Sequence, residues 1–299
     1  MIDSKYLEIL KEVKSQGGVT AAAEKLHVSQ SALSHMIRKL EERYNIKIWI
    51  KQGRNLHFTK AGNYLLEVAE RILPQLQNAE AMLSDYASGM RGNLKVGMEC
   101  HPCQKWLMAV ASPYLEQWTD IRFEVATAFS FSGINALDDH EIDLLITPDP
   151  IEHPNLTFQP VFDFELVLVV NKKHPLAKKK YIEPNDLIEE ELITVPVSID
   201  RLDVFTRFLI PARCRPKNHV TVETSELILQ LVCHNRGIAV LPDWIVRTTT
   251  KNKDLCCIKL GKKGIEKSIH IGIRKGEEDI DYLRGFFEIA KNTIPSFDS

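Results

Sequence analysis

Val19-Thr-Ala-Ala-Ala-Glu-Lys-Leu-His-Val-Ser29-Gln-Ser-Ala-Leu-Ser-His-Met-Ile-Arg38-Lys-Leu-Glu-Glu42 is the stretch that decides the fold of the N-terminal region. Two short helical patterns meet in it at a tight joint. Thr20 is expected to cap the first, with Glu24 in its first turn, and Ala21, Ala22 and Ala23 are small enough to let a second helix cross closely. Leu26 closes the first helix, and Val28 is expected to fill the corner beneath the joint. Ser29 is a good cap for the second helix, which should run to about Arg43 with Ala32, Leu33, Met36, Ile37 and Leu40 as its buried stripe. The opposite face carries Gln30, Ser31, Ser34, His35 and Arg38. Gln and Ser can pair with base edges, and Arg can reach guanine or a phosphate, so this helix-turn-helix makes double-stranded DNA the expected partner. A merely solvated helix face is the plainer reading, but it leaves the alanine run, the cap and the basic surroundings unexplained.

Working outward, Ile2 to Gln16 reads as a helix with Tyr6, Leu7, Leu10 and Val13 inward, ending at Gly17-Gly18. Ile46–Ile50 and Leu56–Phe58 alternate around Gln52-Gly53-Arg54-Asn55, the pattern of a two-stranded wing with Lys51 and Arg54 near its tip. Thr59 should cap a long helix to about Ser88. Its stripe of Leu65, Val68, Ile72, Leu76, Ala79 and Leu83 suits pairing with a second copy of the chain, and Pro74 removes one rung of its ladder. Gly89-Met-Arg-Gly92 reads as a hinge. The expected domains are therefore 1–58, a winged helix-turn-helix, 59–89, a linker and dimerisation helix, and 90–299.

Charge follows the same division. The net charge is −2 over 299 residues, but residues 1–60 carry +5, residues 61–90 carry −3 and the remainder −4. A basic module on an acidic body suits a protein that touches DNA with one end. No apolar N-terminal run suits a signal peptide, and no stretch reaches the length of a membrane span. Six cysteines without framework spacing fit a reducing cytosol, so a cytoplasmic protein with no membrane association is expected.

From Asn93 the pattern changes to short apolar strands alternating with helices, which predicts a parallel α/β sheet. Leu94–Met98, Ile121–Ala126, Asp143–Thr147, Glu165–Val170 and Ile238–Leu241 are the strands expected. Pro102–Gln117, Ser132–Asp139, Arg201–Leu209 and Ser225–His234 are the helices between them. No Gly-rich phosphate loop, Gly-x-Ser-x-Gly elbow or His-Glu-x-x-His occurs, so the sequence offers an enzyme no recognisable machinery. A solute-binding module or enzyme on such a sheet is the rival class, and it leaves the helix-turn-helix without a use.

The N-terminal residues carry a family resemblance. Ala22-Ala-Glu-Lys-Leu-His-Val-Ser-Gln-Ser-Ala-Leu-Ser34, then Ile37-Arg-Lys-Leu-Glu41, and Phe58-Thr-Lys-Ala-Gly62 resemble the DNA-binding region of LysR-type transcriptional regulators. Ile48-Trp49-Ile50-Lys51 departs from that family's usual Leu-Phe-x-Arg but keeps its chemical types. Asp143-Leu-Leu-Ile-Thr147, His174-Pro-Leu176 and Arg236-Gly-Ile-Ala-Val-Leu-Pro242 look like the family's effector domain. The resemblance implies a C-terminal domain similar to periplasmic binding proteins, with two α/β lobes, one of about 90–162 and 268–299 and the other of about 163–267. Within the family, Glu99-Cys-His-Pro-Cys-Gln-Lys-Trp-Leu107, Phe162-Asp-Phe-Glu165 and Arg201-Leu-Asp-Val-Phe205 look like the methionine-biosynthesis regulators of the MetR type. That implies homocysteine as effector and no cofactor, methionine-synthesis genes as targets, RNA polymerase as a further partner, and a homodimer assembling as a dimer of dimers.

Ligands of open sheets lie beyond the carboxyl ends of strands, near helix N-termini. Glu99 to Cys103 lies on that rim: Glu99 could hold an α-ammonium group, and Cys100 and Cys103 could offer a soft surface to a sulfur side chain. The plainer readings are that each Cys is a small hydrophobe, that His101 caps its helix, or that Cys-His-x-Cys holds a metal; the last lacks a fourth ligand at supportive spacing. Thr127 and Phe129, Thr147 and Asp149, and Pro196 lie on other rims. Arg201 and Asp203 open the next helix, where Arg201 could take a carboxylate bidentately or pair with Asp203 or another carboxylate.

Overall fold

The structure, a computed structural model, describes residues 2–52, 55–127, 133–249 and 254–293. The chain divides into two units, one of Met1–Asn93 with Asp138–Ile142 and one of Leu94–Leu137 with Asp143–Ser299.

The first unit is built from α1 (Ser4–Gln16), α2 (Val19–Lys25), α3 (Gln30–Tyr44), the antiparallel hairpin β1 (Trp49–Gln52) and β2 (Asn55–Phe58), and α4 (Lys60–Ala87). Three of its helices begin on side-chain caps. Asp3 accepts from the Lys5 amide, Ser29 from Ala32 at 3.1 Å and Thr59 from Gly62 at 3.2 Å. Thr20 does not cap α2. That helix starts two residues earlier, with Gly18 at its cap and no capping side chain, which leaves Thr20 exposed within its first turn. The joint is made by His27 in the left-handed region (φ 54°) and by the Val28 amide donating to the Ala23 carbonyl at 3.0 Å. Val28 does not fill the corner, being 38 % exposed.

The core joins Leu7, Leu10 and Val13 of α1, Ala22 and Ala23 of α2, Leu33, Ile37 and Leu40 of α3, Ile48, and Leu65, Leu66, Ala69 and Leu73 of α4. Ala32 is exposed rather than part of the stripe, and Met36 is only half-buried. Glu41 takes a buried place instead. It accepts from the Ile48 amide at 2.9 Å and from Lys47 at 2.8 Å, which ties the end of α3 to the start of the wing. Gly62 lies against the Ile48 carbonyl, where a Cβ would overlap it, while the Thr59 hydroxyl donates to Lys47 at 2.6 Å. The stripe expected on α4 therefore splits. Leu65 is buried in its own unit with Val68 and Ile72 packed beside it, and only Leu76, Ala79 and Leu83 lie exposed for another surface.

The second unit contains β3 (Gly92–Met98), α5 (Gln104–Gln117), β4 (Ile121–Thr127), α6 (Gly133–Asp138), β5 (Leu144–Thr147), β6 (Leu156–Asn171), β7 (Tyr181–Ile182), β8 (Glu191–Thr194), β9 (Asn218–Thr221), α7 (Ser225–Cys233), β10 (Ile238–Pro242), α8 (Asp243–Thr249), β11 (Leu255–Leu260), β12 (Ile265–Arg274) and α9 (Asp281–Asn292). Strand order runs β4-β3-β5-β12-β6-β10-β8-β9, with β11 joining β6 to β7. The sheet is mixed rather than parallel. The pairs β3–β5, β8–β10, β8–β9 and β7–β11 are parallel, whereas β6 and β12 run antiparallel to each other and to their other neighbours. Two long strands thus cross the middle of the unit and carry an α/β half on each side. Their mutual register shifts between Ile269 and His270.

One core gathers Leu94, Val96, Trp106, Tyr114 and Phe286, and a second gathers Leu168, Leu187, Leu192, Phe205, Phe208 and Ile258. The helix expected at 201–209 is instead a 3₁₀ turn over Ile199–Arg201 followed by a π-helical turn over Val204–Leu209. Such turns are common at functional positions because they re-aim side chains. No described helix is long and apolar enough to cross a membrane.

Candidate functional site

In the first unit α3 presents Gln30, Ser31, His35 and Arg38 exposed and Ser34 half-buried, all from one helix face. Gln30, Ser34 and Arg38 line a concave surface with Thr20, Lys47 and Trp49. Ser29 belongs to this group by position, yet its hydroxyl is occupied by the Ala32 amide and lies 3.0 Å from Ser31 Oγ. Lys51 is placed by its backbone at the end of β1, and Arg54 lies outside the described residues.

In the second unit a cavity of about 150 Å³ opens at the carboxyl ends of β3, β5 and β8. Its floor is apolar, with Phe164 and Leu166 of β6, Val195 and Val197 after β8, Leu202, Val204, Leu241 and Pro242. Five charged groups rim it: Glu99, Asp149, Arg201, Asp203 and Lys267.

Glu99 is the most constrained of these. One carboxylate oxygen accepts from the Gly133 amide at 2.9 Å, and the other accepts from the Thr147 hydroxyl at 3.0 Å and stands 3.4 Å from Arg201. Its side chain is 5 % exposed while that of Arg201 is 42 % exposed, so the acid is fixed and the base is free to turn toward a ligand. Thr147 is fully buried and also accepts from the Asp149 amide at 3.2 Å. Gly133 has no Cβ because one would press on Glu99 and Leu145.

Lys267 of β12 bridges the two other acids, 2.5 Å from Asp149 and 2.6 Å from Asp203, with Arg207 at 3.6 Å from Asp203. Asp203 is therefore not the partner of Arg201. A further ion pair joins α5 to α7, with Lys105 at 2.7 Å from Glu226.

Cys100 and Cys103 are bonded to each other as a disulfide, both buried, so they do not present two free soft side chains. Spacing by two residues brings their Cα atoms to 5.3 Å in the 3₁₀ turn over His101–Cys103, within bridging range. Cys100 lines the cavity and Cys103 does not. Pro196 is exposed and only its neighbours Val195 and Val197 line the cavity. Thr127 ends β4 and His101 starts the turn; the side chains of both, and all of Phe129, lie outside the description. Among the described residues no group of three or more His, Cys, Asp or Glu is arranged to hold a metal ion.

Sequence reasoning missed Lys267, which sits in an ordinary strand without a motif, and Thr194, whose hydroxyl lies 2.7 Å from His219 Nε2 at the cavity's edge. Phe164, Leu202 and Val204 also line the cavity, and as apolar members of their motifs they carry no local signal of a site. Burial lowers the pKa of His219, which favours its neutral form.

Residues 4–63 match the bacterial regulatory helix-turn-helix protein, lysR family, and residues 87–294 match the LysR substrate binding domain. The chain is 33% identical over 292 residues to the HTH-type transcriptional regulator MetR of Escherichia coli (strain K12), which spans 98% of this chain and 90% of that protein. It is 30% identical to the MetR of Haemophilus influenzae, over 97% of this chain and 94% of that protein. Among solved structures, the regulatory domain of a MetR from N. meningitidis superposes with TM-score 0.64 at 31% identity, covering 68% of this chain and 93% of that one. The full-length regulator CbnR, solved with its target DNA, matches in fold with TM-score 0.67 at 20% identity, over 98% of this chain and 100% of that one.

Proposed function

This chain belongs to the LysR family of transcriptional regulators, and from that premise we propose that it controls methionine-biosynthesis genes in response to homocysteine bound in the cavity beside Glu99 and Arg201. The family is one of DNA-binding regulators, not of enzymes. The observation that carries the finer reading is the pairing of Glu99 with Arg201 at 3.4 Å above an apolar floor. An α-amino acid offers the matching charges. Its carboxylate replaces Glu99 at the guanidinium, its ammonium approaches the fixed carboxylate, and a short sulfur-bearing side chain lies on Phe164, Leu166 and Leu241. Three acids against two bases on the rim leave it with a net charge of −1, which disfavours a ligand bearing a second carboxylate.

Gln30, Ser31, Ser34, His35 and Arg38 are the side chains proposed to read base edges, with Thr20, Ser29, Lys51 and Arg54 at the backbone. Two chains joined through their long helices would set two copies of α3 on successive major grooves. The effector shifts such an assembly only by its differential affinity for two arrangements of it. Changed contact with RNA polymerase is the proposed output.

Calorimetry of the full chain with homocysteine, methionine and cysteine tests the reading. Homocysteine should bind, and Arg201→Ala should weaken it. Absence of homocysteine binding overturns the effector assignment and leaves family membership untouched.

A further inference from the structure

We propose that the Cys100–Cys103 disulfide is a covalent reader of the effector's thiol, exchanging with homocysteine to give a mixed disulfide on Cys100. The inference rests on the reading above, that a thiol amino acid occupies this cavity. Cys100 follows directly on Glu99 and lines the cavity, while Cys103 is fully buried. A ligand sulfur thus has access to one sulfur of the bond only. Cys103 stands at the N-terminus of the 14-residue α5, with its amide donating to the Cys100 carbonyl at 3.0 Å. A thiolate released there is stabilised by the positive end of the helix dipole, which makes Cys103 the better leaving group.

The other cysteines do not share this setting. Cys214, Cys233, Cys256 and Cys257 are free thiols, and burial pushes Cys257 up to about 11, where almost none is thiolate at neutral pH. Cys256 and Cys257 are neighbours in sequence and remain unbonded.

In the exchange, the homocysteine thiolate attacks Cys100 Sγ in line with the existing bond. A sulfur–sulfur bond forms between homocysteine and Cys100 as the Cys100–Cys103 bond breaks, and the electron pair leaves on Cys103. The proton lost by the incoming thiol passes to solvent or to Cys103. One disulfide is consumed and one is made, so no outside oxidant or reductant is needed. A second homocysteine attacking the adduct releases the homocysteine disulfide and leaves Cys100 and Cys103 as a dithiol. Methionine, a thioether, fits the same charges and floor but cannot exchange. The chemistry therefore separates the two sulfur amino acids where shape alone separates them poorly.

The test uses the oxidised full chain incubated with homocysteine, methionine or 2-mercaptoethanol, quenched in acid, alkylated and mapped by mass spectrometry without reductant, beside calorimetry of the same samples. Homocysteine should appear on Cys100 with Cys103 alkylated, or both cysteines should become alkylated, and methionine should change neither. Arg201→Ala should slow homocysteine about tenfold and leave 2-mercaptoethanol unaffected, because only the amino acid uses the guanidinium. Homocysteine binding with the Cys100–Cys103 bond intact overturns the exchange while keeping the effector reading. Homocysteine reacting no faster than 2-mercaptoethanol overturns it too, since the cavity then contributes nothing. Neither binding nor reaction removes both.

Discussion

The face of α3 and the cavity of the second unit solve recognition in opposite ways. Gln30, Ser31, Ser34, His35 and Arg38 come from a single helix and stand toward solvent. Glu99, Asp149, Arg201, Asp203 and Lys267 come from four separate segments, and each is held by another of the five. The difference follows from the partner. A duplex is large and brings its own charge, so the reading residues can wait exposed on a rigid helix. A small ligand must enter a partly desolvated cavity, where charges left unpaired are costly, so the protein's own groups neutralise one another until the ligand arrives. The first arrangement is local and the second is made by the fold.

Removing the rigid support of α3 should have the largest effect. Leu33→Ala, at a fully buried position, should cost about 2–5 kcal/mol and abolish promoter binding while homocysteine binding persists. Thermal melts followed by DNA titration check this; a variant that still bound DNA normally would show that α3 does not depend on that core. Breaking the other side, Lys267→Met leaves Asp149 and Asp203 without their shared cation. The second unit should lose about 1–3 kcal/mol, seen as a lowered melting transition and a weaker response to homocysteine.

Arg38→Ala sharpens the contrast. It should weaken operator affinity by about 1–3 kcal/mol in anisotropy titrations at fixed salt, with the melting temperature unmoved, because the side chain is exposed. Arg201→Ala should do the reverse, reducing homocysteine affinity about tenfold and leaving operator affinity without effector unchanged.

The smallest effect concerns acidity. His219 has its pKa lowered from 6.5 by burial, its ring lying 4.9 Å from that of Phe205. The folded state therefore binds the proton less well than the unfolded chain. The stability from neutral His219 is present above pH 6.5 and is lost as pH falls below it toward the folded value. Melting temperatures of the second unit should decline over that range, and His219→Gln should flatten the slope.

The two regions were also unequally legible. The α3 face could be read because a helix repeats every 3.6 residues, so Leu33, Ile37 and Leu40 mark the inside and their neighbours the outside. Local readings failed where packing outweighed preference. Thr20 lost the cap to Gly18 because α2 starts two residues earlier, and Val28 stayed exposed because the backbone makes the joint. On α4 the periodicity predicts one stripe facing a second copy, yet half of it packs into the unit's own core. In the second unit the pattern marks β3, β4, β5, β10 and the second half of β6, but not the first half of β6 or β7, β9, β11 and β12, and it leaves the strand directions open. An apolar run such as Leu144–Thr147 looks the same whichever way its neighbour runs.

Near neighbours in the chain are enough to set the helix-turn-helix, the Ser29 and Thr59 caps, the charge split, and the motifs around Glu99 and Arg201. Only the tertiary structure decided that Glu99 faces Arg201 rather than leaving Arg201 to Asp203. It also decided that Lys267 bridges two acids and that one sulfur of a Cys100–Cys103 bond lines the cavity. The physical reason is range. Capping and amphipathic periodicity act within a turn or two of chain, whereas an ion pair between residues 99 and 201 exists only after two antiparallel strands have carried both halves of a mixed sheet to the same rim.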